Sequence, residues 1–338
     1  MKQKIKIGNR RVGKEESTFI IAEAGSNHNK KLVQAKKLID VASSSGVDAI
    51  KFQLYKAEKL YAKKTPQYEV MKANELPREW IVDLAKYAKC KGVLFLATPF
   101  DKEAIDLIDE LGIPLYKWAS SETTNLPLLR YAAMKRMPLF ISTGMCDLAD
   151  IQEALDIVYS AGNEDVVLLH CTTLYPTKPH QANLRMMDTL RDAFHTPVGF
   201  SDHTMSTVIP SVAVARGACV IEKHFTLNRK LKGPDHHYAL EPDELKHMVT
   251  KIRETEQSLG SPIKMMLEEE KEEARRTSLI AKTNTTKDTR LTKDAIIVKR
   301  PAYGIKPKYR DIIIGSKVKK NIKKNKPITW DMIGNYVQ

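Results

Sequence analysis

Eight short blocks rich in β-branched and apolar residues recur along the first two-thirds of the chain, at 19–24, 48–53, 94–99, 115–120, 138–143, 166–171, 197–202 and 219–225, and most end abruptly in polar residues. They read as strands. The gaps between them hold helical spacings of apolar positions, as at 32–45, 78–91 and 151–161, so the pattern predicts repeated parallel β/α units. Several blocks are apolar along most of their length, as strands buried on both faces are. Eight such units predict a (β/α)8 TIM barrel. An open doubly wound sheet ranks second, because it usually shows a Gly-rich phosphate turn after its first strand, whereas Glu23 is followed here by AGSNHNKK.

A long helical pattern at 242–259 and a charged run at 268–276 follow the last block. Beyond them the texture changes to short β-rich pieces at 278–281, 295–298, 311–314 and around Ile328, punctuated by KD, RPAYGI and KKN. The expected organisation is therefore a barrel over 1–265, a linker over 266–276 and a small β-rich module over 277–338. A module of about 60 residues is marginal alone, so docking on a barrel or on another subunit is expected.

Composition narrows the class without changing it. The chain has 338 residues, 42% hydrophobic and 28% charged, which is ordinary globular usage. No apolar run approaches the roughly 20 residues of a membrane span, and residues 1–11 lack the apolar core of a signal peptide, so a cytoplasmic location is expected. Cys90, Cys146, Cys171 and Cys219 show no CxxC spacing and read as reduced thiols. Of the formal charge of +14, residues 281–338 supply +11, from 15 Lys and Arg against 4 Asp and Glu. Apart from Tyr303, Tyr309 and Trp330 the tail lysines lack interleaved aromatics, and a charge run without a nucleic-acid module reads as a solvated basic surface, so nucleic acid is not the expected partner.

In a barrel the chemistry sits at the C-terminal strand ends, and those ends are polar throughout. They carry Glu23, Asn27 and His28; Lys51 and Gln53; Thr98; Lys117, Ser120 and Glu122; Ser142 and Thr143; His170, Thr172, Thr173 and Tyr175; Ser201, Asp202 and His203; and Glu222, Lys223 and His224. His203 and His224 close consecutive strands, which lie about 4.7–4.9 Å apart, so two imidazoles at matching heights could share a divalent ion such as Mn2+. Taken singly, each reads as a loop histidine with a local hydrogen bond; as a pair at the ends of neighbouring strands, they favour the metal. Lys51 and Lys117 lie in apolar contexts, DAIKFQ and PLYKWAS, where burial needs a carboxylate or an anionic ligand. With Ser120, Ser142 and Ser201 they suggest an anion site; a Schiff-base lysine at 51, 117 or 223 is the competing chemistry. Glu23 and Glu122 are the candidate acid/base carboxylates, with burial expected to raise a pKa. In KGPDHHYALEPDEL (residues 232–245), Asp235 could meet sugar hydroxyls, and His236 and His237 read as rim residues. Arg300, held extended by Pro301, could project from the tail module.

Nine segments in order resemble the sialic acid synthase family: FIIAEAGSNHN, DAIKFQLYKAEKLY, FLATPFD, YKWASSETTNLPLL, ISTGM, LLHCTTLYPT, GFSDHT, VIEKHFTLNRKLKGPDHHYALEPDEL and, in the tail, VKRPAYGI, which looks like the antifreeze-like (SAF) domain. The resemblance implies condensation of phosphoenolpyruvate with N-acetylmannosamine or a close analogue, giving a nine-carbon α-keto acid and phosphate. It implies Mn2+, or another divalent metal ion, on His203 and His224. It implies phosphoenolpyruvate held by Lys51, Thr98, Lys117, Ser120, Ser142 and Ser201, with Thr173 standing where some members have Asn. It places the sugar against Gln53, Glu122, Tyr175 and Asp235, and Arg300 at the active site of the partner in a domain-swapped homodimer. Glu23 would move the protons. Arg276 stands where some members carry an aromatic residue near the sugar's acyl group, and the GPD loop resembles the sialate, legionaminate and spore-coat branches more than the pseudaminate branch. A legionaminate or spore-coat synthase using a modified mannosamine is the rival within the family. A Schiff-base aldolase and a non-catalytic polysaccharide- or nucleic-acid-binding protein are the rivals outside it.

Overall fold

The computed structural model describes residues 2–62 and 65–334. The chain divides into two compact units, Met1–Gly260 and Ser261–Gln338. The first opens with a hairpin, β1 (Lys4–Ile7) and β2 (Arg10–Gly13), which the sequence reading passed over. Its alternation buries Ile5, Ile7 and Val12 in the same core as the barrel strands.

The eight expected strands then appear as β3 (Phe19–Gly25), β4 (Ala49–Leu54), β5 (Leu94–Pro99), β6 (Tyr116–Trp118), β7 (Leu139–Ser142), β8 (Val166–Cys171), β9 (Val198–Asp202) and β10 (Val220–His224). Hydrogen-bonded neighbours run parallel in the order β5-β4-β3-β10-β9-β8-β7-β6. The two end strands, β5 and β6, lie side by side and close the barrel. Nearly every residue in these strands is buried, which is why the sequence shows continuous apolar blocks.

The helices follow their apolar spacing. Leu32–Ser45 buries Ala35, Leu38, Ile39 and Ala42 on one face and stops at Gly46, whose φ of 77° takes the left-handed conformation of a helix C-cap. The helix expected from residue 151 begins three residues earlier, as Leu148–Ser160, because Asp147 accepts from the backbone N–H groups of Ala149 and Asp150 and so nucleates the first turn. Pro242–Leu259 starts on a proline, whose missing N–H is harmless at that position. No helix among the described residues is long and apolar enough to cross a membrane.

The second unit has its own core of Leu279, Ala281, Leu291, Ile296, Ile305, Ile313, Val318, Ile322, Ile328 and Ile333. Two antiparallel pairs frame it: β11 (Ser278–Ala281) with β12 (Ile296–Lys299), and β13 (Lys317–Val318) with β14 (Ile333–Gly334). The stretch 311–314, expected as a β-rich piece, is instead a helical turn, Arg310–Ile313. Ile313 is its only buried residue, a single anchor where a strand would bury alternate residues. A short helix, Glu268–Glu272, occupies part of the stretch read as a linker.

Candidate active site

Strand register places the charged residues before any side chain is considered. Glu23 is paired with His224 on one side and Lys51 on the other, Glu222 is level with Ser201, and Gln53 is level with Thr98. Because side chains alternate between strand faces, Glu222 and His224 point one way and Lys223 the other. The inward set lines a cavity of about 560 Å3. Of the residues singled out from the sequence, Glu23, Lys51, Gln53, Thr98, Lys117, Ser120, Glu122, Ser142, Thr173, Tyr175, Ser201, His203, His224 and Asp235 all line it. Arg300 belongs to the second unit.

At the floor of the cavity two buried ammonium groups converge on carboxylates and hydroxyls. Lys51 Nζ lies 2.7 Å from Glu23 Oε2 and donates to Thr98 Oγ1 at 2.9 Å. Lys117 Nζ donates to Ser142 Oγ at 2.8 Å and lies 3.3 Å from Glu222 Oε1. Glu222 also accepts from Ser201 Oγ at 3.2 Å and approaches Lys51 at 3.9 Å. Glu222 is one of the polar strand-end residues, and its position between two lysines follows only from closure of the barrel. Burial alone would raise its carboxyl, but Lys117 and Lys51 hold it below its ordinary value. Burial pulls the Lys117 ammonium down, against Glu222. Burial likewise opposes the charge on Lys51, yet Glu222 and Glu23 together hold it above its usual value. Glu23 is raised by burial, with Lys51 opposing, and Gln53 Nε2 donates to its Oε1 at 2.8 Å.

Hydroxyls and amides complete the lining. Ser120 Oγ accepts from Gly144 N at 2.9 Å. A Cβ on Gly144 would fall 2.2 Å from Thr173 Oγ1, so only glycine lets that hydroxyl reach the cavity. Among the described residues, buried Thr173 Oγ1 has no hydrogen-bond partner, a donor left for a polar ligand. Asp235 latches its loop onto the first strand end: Oδ2 accepts from Ser26 N at 2.8 Å, and Oδ1 accepts from Tyr238 Oη at 2.9 Å. Gly25, at φ 50°, accommodates this carboxylate, since a Cβ there would meet Asp235 Oδ2 at 2.5 Å. Glu122 accepts from Asn125 Nδ2 at 2.9 Å.

His203 and His224 are brought together with ring centroids 5.4 Å apart, and Tyr175 packs at a tilt against His203 with centroids 4.2 Å apart. His203 Nδ1 is 2.8 Å from the Thr172 carbonyl, so Nδ1 carries a proton and Nε2 is the nitrogen free to meet a metal; burial opposes its charge, yet Cys171 and that carbonyl hold it above the ordinary histidine value. Burial, with His203 and the nearby lysines, holds His224 well below the ordinary histidine value, which keeps it neutral. A neutral His224 facing a His203 oriented by a carbonyl fits a divalent ion, whose binding would take the place of a proton on His203 Nε2. No group of three or more His, Cys, Asp or Glu is gathered for a metal among the described residues, so this pair would leave coordination positions to water or substrate.

Several strand-end residues turn out to be scaffold. Lys223, a Schiff-base candidate, lies outside the cavity and donates to Asp202 Oδ2 at 2.6 Å and to the Thr204 carbonyl. His170 meets the Ala182 carbonyl at 2.8 Å, and Asn27 donates to the Phe225 carbonyl at 2.7 Å. His236, expected at the rim, is fully buried between Thr226 Oγ1 and Asn29 Oδ1, at 2.6 and 3.0 Å. Its neighbour His237 does line the cavity, as does Tyr238, which the sequence reading left without a role.

His28 is buried behind the site, with Nδ1 accepting from Lys30 N at 3.0 Å. Burial, with His236 and Lys30, lowers it to about 4. The unfolded chain, at about 6.5, therefore binds the proton first. Its contribution is fully present above pH of about 6.5 and is lost as pH falls to about 4, up to about 3 kcal/mol. Urea midpoints at about pH 7.5 and about pH 4.5 check this: His28→Gln is expected to flatten the difference measurably relative to the unsubstituted chain.

Residues 38–264 match the NeuB family and residues 276–334 match the SAF domain. An uncharacterized protein of Methanocaldococcus jannaschii is 44% identical over 97% of this chain and 98% of its own length. The N,N'-diacetyllegionaminic acid synthase of Legionella pneumophila is 40% identical over 95% of this chain and 96% of its own. Among solved structures, the N-acetylneuraminic acid (sialic acid) synthetase of Leptospira borgpetersenii superposes with a TM-score of 0.77 at 35% identity, covering 81% of this chain and 95% of that one.

Proposed function

Because the chain belongs to the NeuB family and carries a SAF domain, we propose that it condenses phosphoenolpyruvate with the open-chain aldehyde of an N-acylmannosamine-type sugar, forming a nine-carbon α-keto acid and releasing phosphate. The observation that carries this is the pair of buried ammonium groups, Lys51 and Lys117, converging with Thr98, Ser142 and Ser201 at the floor of a polar cavity. Such a preorganised cluster suits a compact trianion better than a neutral sugar. N-acetylmannosamine is the parent acceptor of this reading. A modified mannosamine is the second, favoured by the Legionella relative and its name.

In this reading the lysines and hydroxyls hold the phosphate and carboxylate so that C3 of the enol faces the aldehyde. The C3–aldehyde carbon bond forms, the aldehyde oxygen takes a proton, and water adds at C2. Collapse of the resulting hemiketal phosphate breaks the C2–O bond and releases phosphate. Glu23, buried and oriented by Gln53, takes the water's proton in this reading. When bound on His203 and His224, a divalent ion such as Mn2+ supplies Lewis-acid polarisation of the aldehyde. Lys51 and Lys117 act as charges here, each beside a carboxylate, with no Schiff base.

The test is phosphate release from phosphoenolpyruvate with Mn2+, with and without each sugar. Release that requires both phosphoenolpyruvate and an N-acylmannosamine sugar is expected. Borohydride trapping of a lysine adduct without phosphate release would replace this reading with the aldolase.

The same resemblance assigns Arg300 to a second copy's acceptor site. Arg300→Ala is expected to lower turnover about tenfold or more with an unchanged Tm. Mixing Arg300→Ala chains with Glu23→Gln chains should then restore activity. No restoration in mixed dimers would remove the exchange between copies.

A further inference from the structure

One wall of the cavity is apolar, and the barrel core does not account for it. Leu60 ends the helical turn Ala57–Leu60, Tyr61 follows it, Met71 lies on the helix Pro66–Asn74, and Phe100 directly follows β5. All four line the cavity. Among the described residues none of them belongs to the buried core of the first unit, and the helix carrying Met71 has no fully buried residue. These side chains find their burial against whatever fills the cavity.

The wall is held in place. The Glu75 carboxylate accepts from Ala57 N at 2.8 Å and lies 3.3 Å from Lys72 and 3.6 Å from Lys56, tying both helices of the excursion together. Phe100 is braced edge-on by buried Tyr55, with centroids 6.0 Å apart. The wall also rises from β4 and β5, the strands that carry Gln53 and Thr98, so it borders the space above the anion floor, where the acceptor must lie. Of the four side chains Tyr61 alone carries a hydroxyl, so a sugar with hydroxyl groups along the rest of this wall would exchange water for carbon and thioether surface. A sugar presenting methyl and acyl groups there would bury them against carbon.

Resting on the condensation reading above, we propose that Leu60, Tyr61, Met71 and Phe100 determine acceptor specificity and select a deoxygenated, multiply acylated mannosamine, with methyl in place of hydroxymethyl and acetamido in place of a hydroxyl. The probes are 2,4-diacetamido-2,4,6-trideoxymannose and N-acetylmannosamine. Their kcat/KM values are compared at saturating phosphoenolpyruvate in the unsubstituted enzyme, Leu60→Gln and Met71→Gln, with Tm as the folding control; both positions are half-buried. The unsubstituted enzyme is expected to prefer the trideoxy sugar about tenfold or more. Each variant should shrink that preference several-fold through the KM of that sugar, leaving the KM of phosphoenolpyruvate unchanged. Equal kcat/KM for the two sugars, or a preference that survives both substitutions in folded protein, overturns the proposal. If neither sugar releases phosphate, the condensation reading has failed on its own. Calorimetry with the two sugars then decides the wall: tighter binding of the trideoxy sugar that Met71→Gln weakens sustains it, and equal affinities overturn it.

Discussion

Glu23→Gln is expected to lower kcat by about 10²- to 10⁴-fold, the usual loss when a positioned acid/base group is removed, while Tm and the KM for phosphoenolpyruvate stay close to those of the unsubstituted enzyme. The substitution keeps shape and removes the proton-carrying oxygen. Glu23 is fully buried, level with His224 and Lys51 across the strand register, and its carboxyl is raised by burial against the pull of Lys51. A raised carboxyl can hold a proton closer to neutrality than an exposed one, which is what a group alternating between acid and base requires. Lys51 keeps Glu222 at 3.9 Å in the variant, so the anion floor is preserved and the loss should fall on kcat. Single-turnover phosphate release together with a melting curve separates the two. A variant retaining more than about a tenth of the original kcat would reduce Glu23 to a counter-ion of Lys51.

Removing divalent ions with a chelator is expected to abolish phosphate release, with recovery on adding Mn2+, and His224→Ala should neither turn over nor recover. The basis is the facing pair of imidazoles, with His203 oriented by the Thr172 carbonyl and His224 kept uncharged by burial. Losing one of two protein ligands leaves too few to hold the ion against water. Direct measurement of Mn2+ binding, by its paramagnetic signal, gives a readout independent of turnover: stoichiometric binding in the unsubstituted protein and none in His224→Ala is expected. Full activity in chelator, or undiminished Mn2+ binding in His224→Ala, would take the metal away from these histidines.

The barrel was legible because its physics is local. Residues 94–99 and 166–171 read as strands and are β5 and β8 with the same ends, since strands buried on both faces must be apolar throughout. The helix at 32–45 was equally plain from its spacing and its terminal glycine. Where one anchor residue served instead of a period, the reading failed: 311–314 is a turn around Ile313, and a β-branched run cannot distinguish the two. The hairpin at the start was missed although KIKI alternates, because a four-residue strand beside basic residues reads as a tail.

The candidate site divides along the same line. By themselves the residues determined the strands, the polar strand ends and, through nine ordered segments, the family, because each depends on neighbours in sequence. Only the tertiary structure decided which polar groups face the cavity. Alternation sends Glu222 and His224 inward and Lys223 outward to Asp202, a one-residue difference that composition cannot express. Closure of the barrel then placed Glu222 between Lys51 and Lys117. It buried His236 against Asn29, 207 positions away. The same closure set Leu60, Tyr61, Met71 and Phe100 against one side of the cavity, since distances between residues far apart in sequence are set by packing and not by spacing.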